Sequence, residues 1–435
     1  MEQKKILIKG GYVIDPRSGL DSHYDILIAG DRIAKIGKNI QKPEGRTKVI
    51  DAQGMFLVPG FVDVHVHFRE PGFTQKEDII TGAKAAARGG YTTVVMMANT
   101  KPAIDNEETL SYVLNRGKET GIHVKSCANV TMGLKGEELT PMEELAGKGA
   151  AGFTDDGIPI LREELVKSAM EKAAGLNLPI SLHEEDPRLI ENNGINRGKA
   201  SAFLGIGGSP REAEIRLVER DLQLAIETGA CVNIQHISTK EAVELVRQAK
   251  KKSANIHAEA TPHHFTLTEE AVLEYGTLAK MNPPLREEAD RQAIIEGLKD
   301  GTIDIIATDH APHTKEEKAK PITEAPSGII GLETAFSLGI TSLVLKGHLS
   351  LKQLIEKMSC NPASMYHLAA GYLAEGGPAD ITLLDGGGAV VYRKYASKAK
   401  NTPFTGRELV GKVLMTICSG KVVYSRRVRV NPKVQ

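Results

Sequence analysis

Eight short apolar runs of strand character recur between Phe61 and His313, each separated from the next by helical pattern or loop. They read "FVDVHVHF", "YTTVVMMANT", "IHVKSCANV", "AAGFTDDG", "LPISLHEED", "CVNIQHIS", "NIHAEATPHH" and "IDIIATDHAPH", with helical stretches such as "SPREAEIRLVERDLQLAIETG" between them. Strand and helix alternating in this way build a parallel sheet, and eight such units are what a (β/α)8 TIM barrel needs. The expected fold class is therefore α/β. The flanks have a different texture. "ILIKGGYVI", "YDILIAGDRIAKIG" and "TKVIDAQGMFLV" alternate in short segments broken by Gly, Asp and Asn, and strand pattern returns in "ADITLLDGG" and "VLMTICSGKVVYSRR". This predicts a small antiparallel β unit, a β-sandwich domain begun by residues 1–57 and completed by 374–435, around a barrel of residues 58–373.

A chain of 435 residues can bury a large core, and its 55 basic residues balance 55 acidic ones. No global field draws it to nucleic acid or to an anionic membrane, so a small-molecule partner fits better. No run approaches the roughly 18 apolar residues of a membrane span, and "MEQKKILIKGG" has no leader-like apolar core. The four cysteines, Cys127, Cys231, Cys360 and Cys418, lack CxxC spacing, which argues against a disulfide framework and for a reducing cytoplasm. The closing "RRVRVNPKVQ" reads as a solvated basic terminus.

The first barrel strand carries the chemistry. In "GFVDVHVHFREPG", period two sends Phe61, Asp63, His65 and His67 to one face and Val62, Val64 and Val66 to the other. In a barrel the valines would meet the helices and both histidines would point inward at the C-terminal end, where barrel active sites lie. An isolated HxH is more often a pair of hydrogen-bonded histidines than a metal site. Here, however, Asp156, His183, His236 and Asp309 each fall at the C-terminal end of a later strand. Four imidazoles and two carboxylates converging on one mouth suit zinc or a similar divalent ion, and suffice for two ions sharing a bridging group. Other features are discounted. "GIGGSPREAEI" lacks the ending of a phosphate-binding loop, His263, His264 and His310 read as packing or supporting residues, and His23, His123, His257, His348 and His367 as ordinary ones.

With "DVHVHFREPG", "GAKAAARGGYTTVVMMANTKP", "GFTDDGIPI", "HISTKEAVELVR", "KMNPPLR", "GTIDIIATDHAPHTKEEK" and "SGIIGLETAF", the chain resembles the type I dihydroorotases of the amidohydrolase superfamily over nearly its whole length. The resemblance implies that His65, His67, Asp156, His183, His236 and Asp309 hold one or two zinc ions, with Asp156 where related enzymes carry a carboxylated lysine. It further implies that Arg69 and Asn99 with His313 bind the substrate's free carboxylate, with His67 and Asn282 nearby and the Ser327–Gly328 backbone on the ring amide. Asp309 would be the catalytic base. The implied reaction is the reversible closure of N-carbamoyl-L-aspartate to dihydroorotate, the third step of pyrimidine synthesis. A homodimer and a complex with aspartate transcarbamoylase are candidate partners. Ala98 and Ser327 depart from the family pattern without touching a metal ligand. A hydantoinase or allantoinase would keep the fold and metals but differ at Arg69 and Asp156. A metal-free partner subunit would lose ligands that this chain retains, and metal storage would not explain the arginine. Finally, "HAPHTKEEKAKPITEAPSG", from His310 to Gly328, reads as a mobile loop over the mouth.

Overall fold

The computed structural model describes residues 5–426. The basic terminus beyond Arg426 and the first four residues, on which the expectations about the chain ends fall, lie outside the described residues. Strands β1 (Lys5–Asp15), β2 (Leu20–Ala29), β3 (Arg32–Gly37), β4 (Thr47–Asp51) and β5 (Phe56–Pro59) precede the barrel. The barrel strands are β6 (Phe61–Val66), β7 (Tyr91–Met96), β8 (His123–Ser126), β9 (Ile180–Leu182), β10 (Val232–Ile234), β11 (Ile256–Ala260) and β12 (Ile305–Ile306). The chain closes with β13 (Ile381–Val391), β14 (Glu408–Cys418) and β15 (Lys421–Ser425).

The barrel strands pair in parallel as β6-β7-β8 and β9-β10-β11-β12. Phe153, the only paired residue of "AAGFTDDG", bridges Ala128 and Ile180 and so takes the place of the fourth strand. The ring shuts where Val66 bridges His310 and the His67 N–H donates to the His310 carbonyl at 3.0 Å. Around it, the longer helices bury one face each. In Lys240–Lys250, Ala242, Val243, Val246 and Ala249 turn inward, and the Thr239 hydroxyl caps the first turn by accepting from the Ala242 N–H at 3.3 Å. In Ile79–Arg88 the close approach of helix to strand requires glycine at Gly82, where a Cβ would lie 2.3 Å from Phe68 Cδ1. The structure thus has the expected (β/α)8 barrel with a β domain made from both chain ends.

Two details differ from the expectation. The β domain is mixed rather than antiparallel. β1 pairs antiparallel with β2, but its first half pairs parallel with β4 and Tyr12 and Val13 pair parallel with β5. The chain leaves β3, crosses to the free edge of β1 and runs along it in the same direction. The second difference lies in β6, whose pairing with β7 slips between Asp63 and Val66. Phe61 packs outward on Tyr91 and Phe336, with ring centroids 5.7 Å away in each case, whereas Val62 and Val64 join Val95, Met97, Cys127, Ile305 and Ala307 in an interior cluster. The bulge reverses the alternation just before the histidines, so that His65 and His67 still reach the mouth while the valines below them fill the barrel.

Candidate active site

Six ligand-type side chains from the ends of five strand positions meet at the mouth of the barrel. His65 Nε2 lies 3.4 Å from Asp156 Oδ1 and 3.5 Å from Asp309 Oδ1, and His67 Nε2 lies 3.0 Å from Asp309 Oδ1 and 3.4 Å from Asp156 Oδ2. Beside this group, His183 Nδ1 and His236 Nε2 stand 3.0 Å apart, and each is 3.8 Å from Asp156 Oδ1. Asp156 is shared by the two groups. All six side chains are buried, and two of the converging atoms, His65 Nε2 and Asp156 Oδ1, have no hydrogen-bond partner among the described residues. A buried nitrogen and a buried carboxylate oxygen left without partners, and pointed at the same space, fit a divalent cation. Asp155 faces elsewhere, accepting from the Val130 N–H at 2.8 Å and the Thr131 N–H at 3.2 Å.

The electrostatics favour a cation here. Burial opposes charge on Asp156 and Asp309, but the neighbouring imidazoles, His65 first, outweigh it and hold both carboxyls below the ordinary carboxylate range. Burial likewise opposes charge on His65, yet Glu259, Asp309 and Asp156 together raise its pKa well above the usual value. A field that would hold a proton on His65 would equally hold a metal ion. The backbone is arranged for this convergence. Arg69, His236 and Asp309 all sit at positive φ, +60°, +31° and +43°, which non-glycine residues adopt at a cost and which clusters at functional sites.

Supporting residues orient these side chains. Glu259, which the sequence reading passed over, accepts from His65 Nδ1 at 2.5 Å, from the His236 N–H at 3.3 Å and from Asn233 Nδ2 at 3.0 Å. Its signal was present as a lone acid inside the buried strand "NIHAEA", where only a partnered carboxylate is tolerated. Asn99 sits between two members of the cluster, its Oδ1 3.0 Å from His67 Nδ1 and its Nδ2 donating to Asp156 Oδ2 at 3.1 Å. Asn282 Nδ2 lies 3.2 Å from His183 Nε2. Of the discounted histidines, His264 Nε2 lies 3.0 Å from the Pro283 carbonyl oxygen and His310 Nε2 lies 3.5 Å from Glu77, both away from the ligand cluster.

Above the cluster lies an open cavity of about 460 Å3, lined among others by His67, Arg69, Asn99, Asn282, His313 and Ser327. Arg69 is half-buried, with Nε donating to the Pro312 carbonyl at 3.3 Å and Nη2 3.4 Å from His313 Nε2. No carboxylate stands within 4 Å of its guanidinium among the described residues. Gly328 lies at the edge of the site with both backbone groups engaged. Its N–H donates to the Lys280 carbonyl at 2.9 Å, and its carbonyl accepts from Asn401 Nδ2 at 2.9 Å. Its φ of +152° and the 2.6 Å between a built Cβ and the Ala311 carbonyl oxygen require glycine.

The segment from His310 to Gly328 is tied down over the mouth rather than hanging free. Lys280 Nζ donates to the Ile322 and Ala325 carbonyls, both at 2.7 Å, and Lys318 Nζ donates to the Pro326 and Gly328 carbonyls at 2.9 and 3.1 Å. In this conformation two lysines fold back beneath the segment that charge and proline mark as a loop, and bond its carbonyls.

Residues 54–242 match the family described as Dihydro-orotase-like. A dihydroorotase from Clostridioides difficile is 55% identical over 420 residues, covering 97% of this chain and 100% of the relative. One from Clostridium acetobutylicum is 52% identical over 96% of this chain and 99% of the relative, and one from Lactococcus lactis is 49% identical over 97% and 100%. Among solved structures, L-hydantoinase from Arthrobacter aurescens superposes with a TM-score of 0.87 at 25% identity, covering 97% of this chain and 96% of that one. Dihydropyrimidinase from Brevibacillus agri, 22% identical with a TM-score of 0.84 over 97% and 95% of the two chains, shares the fold.

Proposed function

The chain belongs to the dihydroorotase family, and from that premise we propose that it interconverts N-carbamoyl-L-aspartate and (S)-dihydroorotate in pyrimidine synthesis, with zinc held by His65, His67, Asp156, His183, His236 and Asp309. The observation that carries this reading is Arg69, an arginine without a carboxylate partner set in the wall of a small cavity directly above the ligand cluster. A hydantoin offers nothing to such a group, whereas both ring-closed and ring-open substrates carry a free carboxylate that its planar fork can take in two parallel hydrogen bonds.

When bound, the metal supplies an activated water at neutral pH and polarises the carbonyl under attack. The protein does the rest. Arg69, with Asn99 and His313, fixes the carboxylate and so the face of the ring, while Asn282 and Ser327, which line the cavity, meet the ring amide; Gly328, its N–H and carbonyl both engaged within the chain, sets the turn that presents Ser327. Asp309 Oδ1 sits among the ligand atoms, close enough to the cavity to accept the proton of the attacking water in the opening direction and deliver it to the departing ring nitrogen. In the closing direction, protonated Asp309 gives its proton to the side-chain carboxyl oxygen that leaves as water and takes one back from the carbamoyl nitrogen as that nitrogen bonds to the carboxyl carbon. Glu259 holds His65, and Asn99 holds His67 and Asp156, so that the donor set stays convergent while the proton moves.

The domain division that accompanies this reading places the β domain at 1–57 and 374–435 and the barrel at 58–373, supported by the sheet in which β13 joins β5. No helix among the described residues is long and apolar enough to cross a membrane, and the four cysteines are free, which supports a reducing cytoplasm. One experiment tests the whole: assay the purified chain alone on dihydroorotate and on hydantoins, with metal analysis and native mass of the same sample. Turnover of dihydroorotate by a zinc-loaded chain supports the proposal and shows whether a second copy or a transcarbamoylase is needed. Preference for hydantoins overturns it.

A further inference from the structure

A second cavity, of about 1000 Å3, lies on the far side of the wall that His313 makes with the turn Lys315–Lys318. Six lysines line it: Lys76, Lys315, Lys318, Lys320, Lys398 and Lys400. Glu316 is the one carboxylate residue in that lining, and Tyr275 and Leu278 form an apolar side. Two of the lysines have partners behind the wall, Lys76 with Glu317 at 2.8 Å and Lys398 with Asp78. Lys400 donates to the Ser397 carbonyl at 2.6 Å. Lys315 and Lys320 are exposed and have no carboxylate within 4 Å among the described residues. Six ammonium groups thus answer to three carboxylates, of which only Glu316 belongs to the concave surface.

The crowding reaches into the wall. His313 Nδ1 is 3.4 Å from Lys76 Nζ and its Nε2 is 3.4 Å from Arg69 Nη2, so one imidazole stands between a cation of each cavity. Burial, Arg69, Lys76 and Lys318 hold the His313 pKa far below its usual value, and burial with Lys280 pushes Lys318 down to about 7. Like charges gathered on a concave, partly desolvated surface repel one another and focus a positive potential, which a multivalent anion relieves.

We propose that this cavity is a binding site for a small multiply charged anion, separate from the catalytic cavity and joined to it through His313 and Lys318. The recognising chemistry is phosphate or carboxylate on a body that can rest against Tyr275 and Leu278. The ligand is either a phosphorylated metabolite or a second molecule of the ring-open dicarboxylate. An anion beside Lys318 favours its charged form, which strengthens its bonds to the Pro326 and Gly328 carbonyls and so steadies the rim that Ser327 contributes to the catalytic cavity.

The test is binding of inorganic phosphate to the metal-loaded chain at low ionic strength, followed by 31P line broadening and repeated on the double variant Lys315→Gln, Lys320→Gln. Saturable binding that weakens at least tenfold in the variant, while its turnover stays near that of the parent, supports the site. Adding carbamoyl-aspartate well beyond the amount that saturates turnover then identifies the source. Displacement of phosphate points to the dicarboxylate, and persistence points to a phosphorylated ligand. Absence of saturable binding, or equal binding by parent and variant, overturns the proposal, the latter placing the phosphate elsewhere. Because this readout is binding, it stands or falls separately from the assignment of the reaction.

Discussion

Replacing Arg69 by Met keeps most of the side-chain length and removes only the charge and the donors. The guanidinium spends two weak bonds, from Nε to the Pro312 carbonyl at 3.3 Å and from Nη2 to His313 Nε2 at 3.4 Å, and has no carboxylate within 4 Å among the described residues, so most of its five donors are free for whatever enters the cavity. Hydrogen bonds to charged groups contribute about 1.5–3 kcal/mol each, and a bidentate pair, whose two bonds share one carboxylate and fall short of full additivity, about 3–5 kcal/mol. That corresponds to a loss of about a hundredfold to several thousandfold in kcat/KM on dihydroorotate. On a hydantoin, which lacks the carboxylate, turnover should stay within a few-fold of the parent. Stability gives an independent reading. Burial lowers the Arg69 pKa and outweighs the pull of Asp309, Asp156 and Glu317, so its charge is held in the cavity wall at a cost. Removing it should leave the thermal midpoint unchanged or raise it. Equal loss on both substrates, or a fall in the midpoint that accounts for the lost activity, would refute carboxylate recognition.

Asp309→Asn should retain metal, because the amide oxygen still points at the cluster, yet lose about a hundredfold to ten-thousandfold in turnover for want of a proton carrier; near-parent turnover would exclude Asp309 as the base. Glu259→Gln, which withdraws the charge behind His65, should weaken metal retention in a chelator titration about ten- to a hundredfold, and an unchanged titration would make Glu259 a packing residue. After metal removal, zinc restored in buffer free of carbon dioxide should return full activity to the parent and to Asp155→Asn but not to Asp156→Ala, whereas a bicarbonate requirement would mean that a carboxylated lysine completes the site. Away from the site, burial opposes the charge on His257 but Asp304, 2.6 Å from its Nδ1, raises its pKa to about 9. The raised pKa means that folding favours the protonated form, so the pair contributes fully below pH 6.5 and its contribution, up to about 3 kcal/mol, is lost as pH rises through 9. The stability gap between the parent and His257→Gln should accordingly be widest near pH 6 and close by about pH 10, and a gap independent of pH would remove the pair from the account.

Much of this protein was legible in the chain itself. Strand runs alternating with helical stretches specify a barrel because periodicity alone tells a chain which faces to bury, and the ligand types stand at strand ends because that is where a barrel opens. Local pattern also separated Asp156 from Asp155, since neighbours on an extended segment face opposite ways. Tertiary structure decided the rest. The bulge at Asp63–Val66 reverses which side chains of β6 fill the barrel, and nothing in "FVDVHV" announces it, because a bulge answers to the pairing strand rather than to its own residues. Glu259 becomes the partner of His65 across 194 positions of sequence. The loop that composition marks as mobile is held by Lys280 and Lys318, whose ammonium groups point inward only because the carbonyls of Ile322, Ala325, Pro326 and Gly328 meet them there. Periodicity reports how each segment divides its own faces between core and solvent, while hydrogen bonds and charge contacts between distant segments depend on where the closed barrel places them, and that placement exists only once the chain has folded.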